Sequence, residues 1–152
     1  MTTAHDLARA RAIAGAVPDP ELPALTLDDL GVVHVVRIAD GAVEVALTPT
    51  YTACPATEAI ARDVEAALHA AGFARVRVRT VLAPAWGSDR IGAAGLAKLA
   101  AHGIAPPRPG PPACPRCGAG DTELLSEFGP TPCQALHRCR TCREPFTRFK
   151  CH

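Results

Sequence analysis

Cys114-Pro115-Arg116-Cys117-Gly118 and Cys139-Arg140-Thr141-Cys142 are two Cys-x-x-Cys knuckles separated by 21 residues. A knuckle this short aims two thiolates at one ion, and two knuckles close a tetrahedral site with no position left for a substrate. A metal held by Cys114, Cys117, Cys139 and Cys142 is therefore structural. Zinc is the first expectation, and the same spacing accommodates iron in a rubredoxin-like site or an iron-sulfur cluster. Cys133, Cys151 and His152 lie in the same stretch. They are either accessory ligands of a second, transient metal or cluster site, or loop packing and a frayed end. Cys54 stands apart in Leu47-Thr-Pro-Thr-Tyr-Thr-Ala-Cys54-Pro55. Strand-like residues precede it and a helical pattern follows. Its thiol is thus at a strand-to-helix junction, where unpaired N–H groups and the helix dipole favour a thiolate. Such a cysteine is a metal ligand, a nucleophile, or a small buried hydrophobe. A nucleophile needs a base, and nothing local brings His34, the histidine expected on the strands, to Cys54.

The 152 residues carry a net charge of +1 and seven cysteines, six of them after position 110. An odd count argues against a disulfide framework and for metal or redox chemistry in a reducing compartment. The balanced charge gives no global reason to expect nucleic acid or an anionic membrane. No apolar run is long enough to span a bilayer, and the N-terminus lacks a basic region followed by an apolar one, so the expected location is cytoplasmic.

The elements that must position these groups are legible in part. Thr3 is placed to cap a helix with Leu7, Ala10, Ile13, Ala14 and Val17 as its apolar positions, ended by Pro18 and Pro20. Asp19, Glu21, Asp28 and Asp29 read as caps and turn residues around a short helical turn, Thr26 to Leu30, before Gly31. Val32 to Ala39 and Ala42 to Thr48 form a hairpin about Asp40-Gly41, a type I′ turn pair. Ala56 to Ala71 is a helix with Ile60, Val64, Leu68 and Ala71 on one side, closed by Gly72. Ala74 to Leu82 is a strand with Val76, Val78, Thr80 and Leu82 on one face. Arg75, Arg77 and Arg79 share the other, either as phosphate contacts or, more simply, as a solvated face with acidic neighbours. The strand–helix–strand crossover makes this strand parallel to the one before it and sets Cys54 at the carboxyl edge of the sheet. Trp86 closes one end of the core or flanks a site. Ser88 is expected to cap a helix from Asp89 to Ala101 with Ile91, Leu96 and Leu99 as anchors, terminated by Gly103. Residues 105–113 hold five prolines, a semi-rigid spacer of up to about 28 Å. Strands are expected around Glu123 to Phe128, Leu136 to Cys139 and Phe146 to Lys150. The fold class is α+β: a small mixed domain over 1–104 (helix, β-hairpin, helix, strand, helix), the linker 105–113, and a zinc ribbon over 114–152.

Asp19-Pro20-Glu21, Asp29-Leu30-Gly31-Val32-Val33, the Leu47 to Pro55 loop, Pro84-Ala85-Trp86 and Gly103-Ile104-Ala105-Pro106-Pro107 together carry a family likeness. So do both knuckles, Phe128-Gly129, Cys133, Arg143-Glu144-Pro145-Phe146 and Phe149-Lys150-Cys151. On these residues, over nearly its whole length, the chain resembles the PaaD family, accessory proteins of the bacterial phenylacetyl-CoA epoxidase system. More broadly it is similar to the iron-sulfur assembly factors whose domain carries that name. The resemblance implies a non-enzymatic factor that matures or inserts iron or iron-sulfur centres. Its implied clients are the oxygenase and reductase subunits, with other assembly proteins as further partners, and it acts as a monomer or a homodimer. It gives Cys54 the role of an exchangeable cluster or metal ligand, with a transient cluster as cargo beside zinc in the ribbon. The competing expectations are a thiol enzyme using Cys54, and a nucleic-acid-binding ribbon using Arg138, Arg140, Arg143, Arg148 and Lys150 with Phe146 and Phe149.

Overall fold

The computed structural model describes residues 4–50 and 56–150. The chain falls into two compact units, Met1–Trp86 and Gly87–His152. The proline-rich stretch 105–113 lies inside the second.

In the first unit, helix α1 (Ala4–Gly15) buries Ala10 and Ala14. It stops at Gly15, ahead of the proline expected to end it. Val17 instead gives its carbonyl to the Leu27 N–H (2.9 Å), and Pro18 bridges Thr26. Between them Asp19 Oδ1 accepts from the N–H groups of Glu21 (2.8 Å) and Leu22 (2.9 Å), which folds the turn on a side-chain acceptor. Helix α2 (Leu27–Leu30) is one turn long and carries a reciprocal capping box. The Thr26 hydroxyl accepts from Asp29 N–H and the Asp29 carboxylate accepts from Thr26 N–H, which satisfies two orphan donors at once. Gly31, at φ 66°, closes the turn in the left-handed conformation.

Strands β1 (Val33–Ala39) and β2 (Ala42–Leu47) pair antiparallel around Asp40 and Gly41. These two have φ of 51° and 74°, as the type I′ turn requires. Helix α3 (Thr57–Ala70) buries Ile60, Val64 and Leu68, and β3 (Val76–Thr80) returns parallel to β2. The sheet order is β1-β2-β3. Its inner rows are Val36–Val45–Val78 and Ile38–Val43–Val76. Leu82 was expected on that inner face but lies past the end of β3 and is 63% exposed, because ladder pairing stops at Thr80. Trp86 is buried and its indole N–H donates to the Leu30 carbonyl at 2.8 Å, tying the end of this unit to α2. Trp86→Phe keeps most of the apolar surface but strands that acceptor. A loss of roughly 1–3 kcal/mol is expected, read as a lower urea midpoint at unchanged slope.

The second unit opens differently from its sequence pattern. Ser88–Arg90 is a single 3-10 turn, Gly92 is extended at ψ 170°, and helix α4 starts only at Ala93 and ends at Ala101. Ile91 is therefore buried ahead of the helix and is not one of its anchors, while Leu99 is fully buried within it. Gly103, at φ 71°, terminates α4 as expected of a C-terminal glycine. Strand β4 (Ile104–Ala105) then pairs parallel with β7 (Pro145–Phe149), which pairs with β6 (Gln134–Cys139), which pairs with β5 (Thr122–Ser126). Phe149 is fully buried in this sheet.

Candidate metal centre

The first knuckle is shaped by Cys114 N–H donating to Ala119 O and Gly118 N–H donating to Cys114 O, both at 2.9 Å. The second is shaped by Cys139 N–H donating to Glu144 O at 3.0 Å. Each knuckle must reverse just after its second cysteine, and there the backbone is left-handed: Gly118 at φ 77° and Arg143 at φ 65°. Only glycine takes that conformation freely, so Gly118→Val is expected to weaken the turn by roughly 1–2 kcal/mol. The measurement is zinc retention against a competing chelator.

The Sγ atoms of Cys114, Cys117, Cys139 and Cys142 all lie within 4.8 Å of one another. Cys114 to Cys142 is 3.7 Å and Cys117 to Cys139 is 3.5 Å. A tetrahedral zinc with bonds of about 2.3 Å needs sulfurs about 3.8 Å apart, so the four thiols fit the ion. Cys117 N–H points at Cys114 Sγ (3.5 Å) and Cys142 N–H at Cys139 Sγ (3.4 Å). These donors favour the thiolate. The Cys117 N–H holds the Cys114 thiol below its ordinary range. The Cys142 N–H, helped by that of Thr141, brings Cys139 down to about 6. At Cys142 the Glu144 N–H lowers the pKa, but desolvation and the neighbouring sulfurs outweigh it and raise the thiol to about 11. A divalent ion entering this site displaces the remaining protons, so its hold strengthens as pH rises.

Cys114 and Cys139 are buried, Cys142 is half-buried and Cys117 is exposed. Around them pack Ala105, Phe146 and Ala119, so the cysteines are themselves much of this cluster. An Arg116–Glu144 ion pair (3.1 Å) joins the two knuckles, a link with no signal in the sequence beyond one opposite charge in each turn. His137 stacks on Phe146 at 5.6 Å, and burial, then Arg148, lowers its pKa.

Of the accessory donors, Cys133 is described and is not part of this group. Cys133 is buried with its sulfur 3.1 Å from the Thr131 hydroxyl, and it is outside the four-cysteine cluster found among the described residues. Cys151, His152 and Cys54 lie outside the described residues, as does Thr3. For Cys54 the flanking elements are in place. β2 ends at Leu47, the N-cap of α3 is Ala56, and β3 runs parallel to β2. The intervening stretch thus leaves from the carboxyl edge of the sheet, where ligand sites gather. His34 sits within the register irregularity between Val33 and Val35, at the same end of the sheet.

The basic residues of the ribbon are largely engaged. Arg138 binds the Glu123 carboxylate, and Arg140 binds Asp121 (3.3 Å) and Glu123 (3.4 Å). Arg138 first, then burial and Arg140, set the Glu123 carboxyl, whose pKa is lowered overall. Lys150 lies over the Phe128 ring at 4.1 Å.

Comparison with known proteins divides the chain in a similar way. Residues 9–82 match the model of an iron-sulfur cluster assembly protein family, and residues 108–150 match the PaaD zinc beta ribbon domain. The chain is 43% identical to a putative subunit of the 1,2-phenylacetyl-CoA epoxidase of Escherichia coli (strain K12), over 92% of this chain and 90% of that protein. It is 31% identical to an Fe-S protein maturation auxiliary factor of Porphyromonas gingivalis, over 65% of this chain and 92% of that protein. Among solved structures, a domain of unknown function, DUF59, from Bacillus anthracis matches with a TM-score of 0.56 at 26% identity, covering 61% of this chain and 90% of that one. Among the described residues no helix is long and apolar enough to cross a membrane.

Proposed function

The chain belongs to the PaaD family, an iron-sulfur cluster assembly domain joined to a PaaD zinc ribbon, and on that premise we propose that it matures metal centres of a phenylacetyl-CoA epoxidase. The observation that carries this reading is the match over 92% of the chain to a putative subunit of that enzyme. The similarity to an Fe-S protein maturation auxiliary factor supports the maturation half of it. The factor acts in the cytosol without turnover of its own, and its clients are the oxygenase and reductase subunits.

In this reading the two modules, an assembly domain over 1–104 and a ribbon over 114–152, divide the work. Cys114, Cys117, Cys139 and Cys142 hold zinc, which supplies folding energy and leaves no coordination position open. Cys54 contributes an exchangeable thiolate to an iron or iron-sulfur cargo, and a client thiolate displaces it when the cargo moves on. The exchange is redox-neutral: one iron–sulfur bond breaks as another forms. The arrangement needs a thiol not already committed to a closed site, and Cys114, Cys117, Cys139 and Cys142 share one.

The test is to produce the oxygenase and reductase in cells with and without this chain, then measure iron and acid-labile sulfide per client. Clients made without it are expected to carry less of both and to be less active. Equal loading and equal activity would sink the reading.

A further inference from the structure

Helices α1 and α3 pack on the first sheet and bury its Val43 and Val45 face, while among the described residues the opposite face buries only the small Ala42 and Ala46 and leaves its arginines exposed. The registers place Arg37, Glu44 and Arg77 in one cross-strand row of the open face. The next row on that face holds Val35, Ala46 and Arg79. Arg75 stands just before β3, its carbonyl bonded to the Val43 N–H, on the same alternation as Arg77 and Arg79. Arg37 and Arg77 are more than half exposed, at 61% and 62%. The face therefore presents four arginines against Glu44, with Asp40 in the adjacent turn, on a chain whose total charge is only +1.

Glu44 shows what this face recognises. Its two oxygens take Arg37 Nε at 2.5 Å and Arg77 Nη1 at 3.3 Å. Arg37 before all else holds the Glu44 carboxyl below its ordinary range. One carboxylate cannot serve four guanidinium groups. Arg75 donates to the Asp40 carbonyl at 3.0 Å, and among the described residues neither it nor Arg79 has a carboxylate partner. Alternate residues on a strand stand about 6.6 Å apart, so the arginines of β3 form a regular row of cations.

We propose that this open face docks an extended acidic segment of a partner protein, with carboxylates at alternate residues meeting Arg75, Arg77 and Arg79. This goes beyond the maturation reading and does not depend on Cys54 or the ribbon. A second copy of the chain is a poor occupant, because its own arginine row repels this one. Nucleic acid also fits poorly: the uncharged residues between the arginines are Val35, Ala42 and Ala46, none of which stacks on a base.

The experiment uses the zinc-loaded full chain and a fluorescein-labelled peptide of five Glu-Ser repeats, followed by anisotropy at low and physiological salt. Binding that falls with salt, and is weakened roughly tenfold or more by the double variant R75E/R79E, is the expected result. Neither residue contacts Glu44, and R11E/R62E, two equal reversals at exposed positions of α1 and α3, is the control for a change of net charge alone. Thermal unfolding of each variant verifies that the sheet is intact. The proposal is overturned if the peptide does not bind at low salt, or if R75E/R79E binds it as the unaltered chain does. It is equally overturned if R11E/R62E matches R75E/R79E, or if a ten-nucleotide oligothymidylate binds more tightly and is lost with R75E/R79E.

Discussion

Stripping the metal with a strong chelator, or replacing Cys139 with serine, is expected to unfold strands β5, β6 and β7 while β1 to β3 and their helices stay folded. The reason is the composition of the ribbon's interior. Among the described residues the cluster around the thiols adds Ala105, Phe146 and Ala119, and β5 to β7 otherwise bury Phe149 and Ala135 as apolar side chains, too little apolar surface to hold so small a unit together. Zinc held by four thiolates contributes about 10–16 kcal/mol near neutral pH, comparable to the entire stability of an ordinary domain. The sign with pH follows from the thiols. Cys139 sits at about 6 and Cys142 at about 11 without metal, so as pH falls protons compete for the ligands and the ion is released. Release is therefore expected to become easier below neutrality and harder above it. The readout is zinc per chain, with amide dispersion of residues 122–149 followed through the same titration. Retention of β5 to β7 in the metal-free protein would contradict the account.

What could be read from the sequence was whatever depends on neighbours in the chain. Asp40-Gly41 specifies its hairpin because two positive φ angles in a row are tolerated by few residue pairs. The knuckles declare themselves because two thiols three residues apart can face one ion. The parallel return of β3 follows from the handedness of the crossover. What escaped depends on partners distant in sequence. Ile104 and Ala105 carry no local strand signal, yet they pair with Thr147 and Arg148, which draws the residues before the proline-rich stretch into the ribbon's unit. The first turn expected for α4 was lost because Gly92, its N-cap, is extended, a backbone state open to any residue and so without a signal in the sequence. The Glu44 carboxylate between Arg37 and Arg77 is visible only once register is known. The function came from a family likeness of motifs, and the comparisons with known proteins bear out that family; the role of each cysteine is a further step.

Cys54→Ala is expected to abolish most cluster transfer to the client while leaving zinc content and thermal unfolding unchanged. Cys54 lies two residues before Ala56, the N-cap of α3, which has no side-chain cap bond. Helix α3 is 14 residues long, enough for its amino end to favour an anion through its dipole and free N–H groups. A thiolate held at that helix end would be stabilised by it, whereas each of the four knuckle sulfurs already has another knuckle sulfur within 3.7 Å. Serine in its place has the size but not the acidity, so Cys54→Ser is expected to behave like alanine. Transfer is read anaerobically, as client activity regained per iron supplied after reconstitution with iron and sulfide. A fall of roughly tenfold or more is expected if the thiolate is a ligand of the cargo. Cys133→Ala supplies the contrast: it empties a buried position beside Thr131 and should cost stability without stopping transfer. If Cys54→Ala binds and delivers the cluster as well as the unaltered chain, the exchangeable ligand is elsewhere. If Cys133→Ala stops delivery while remaining folded, the buried thiol is the one to pursue.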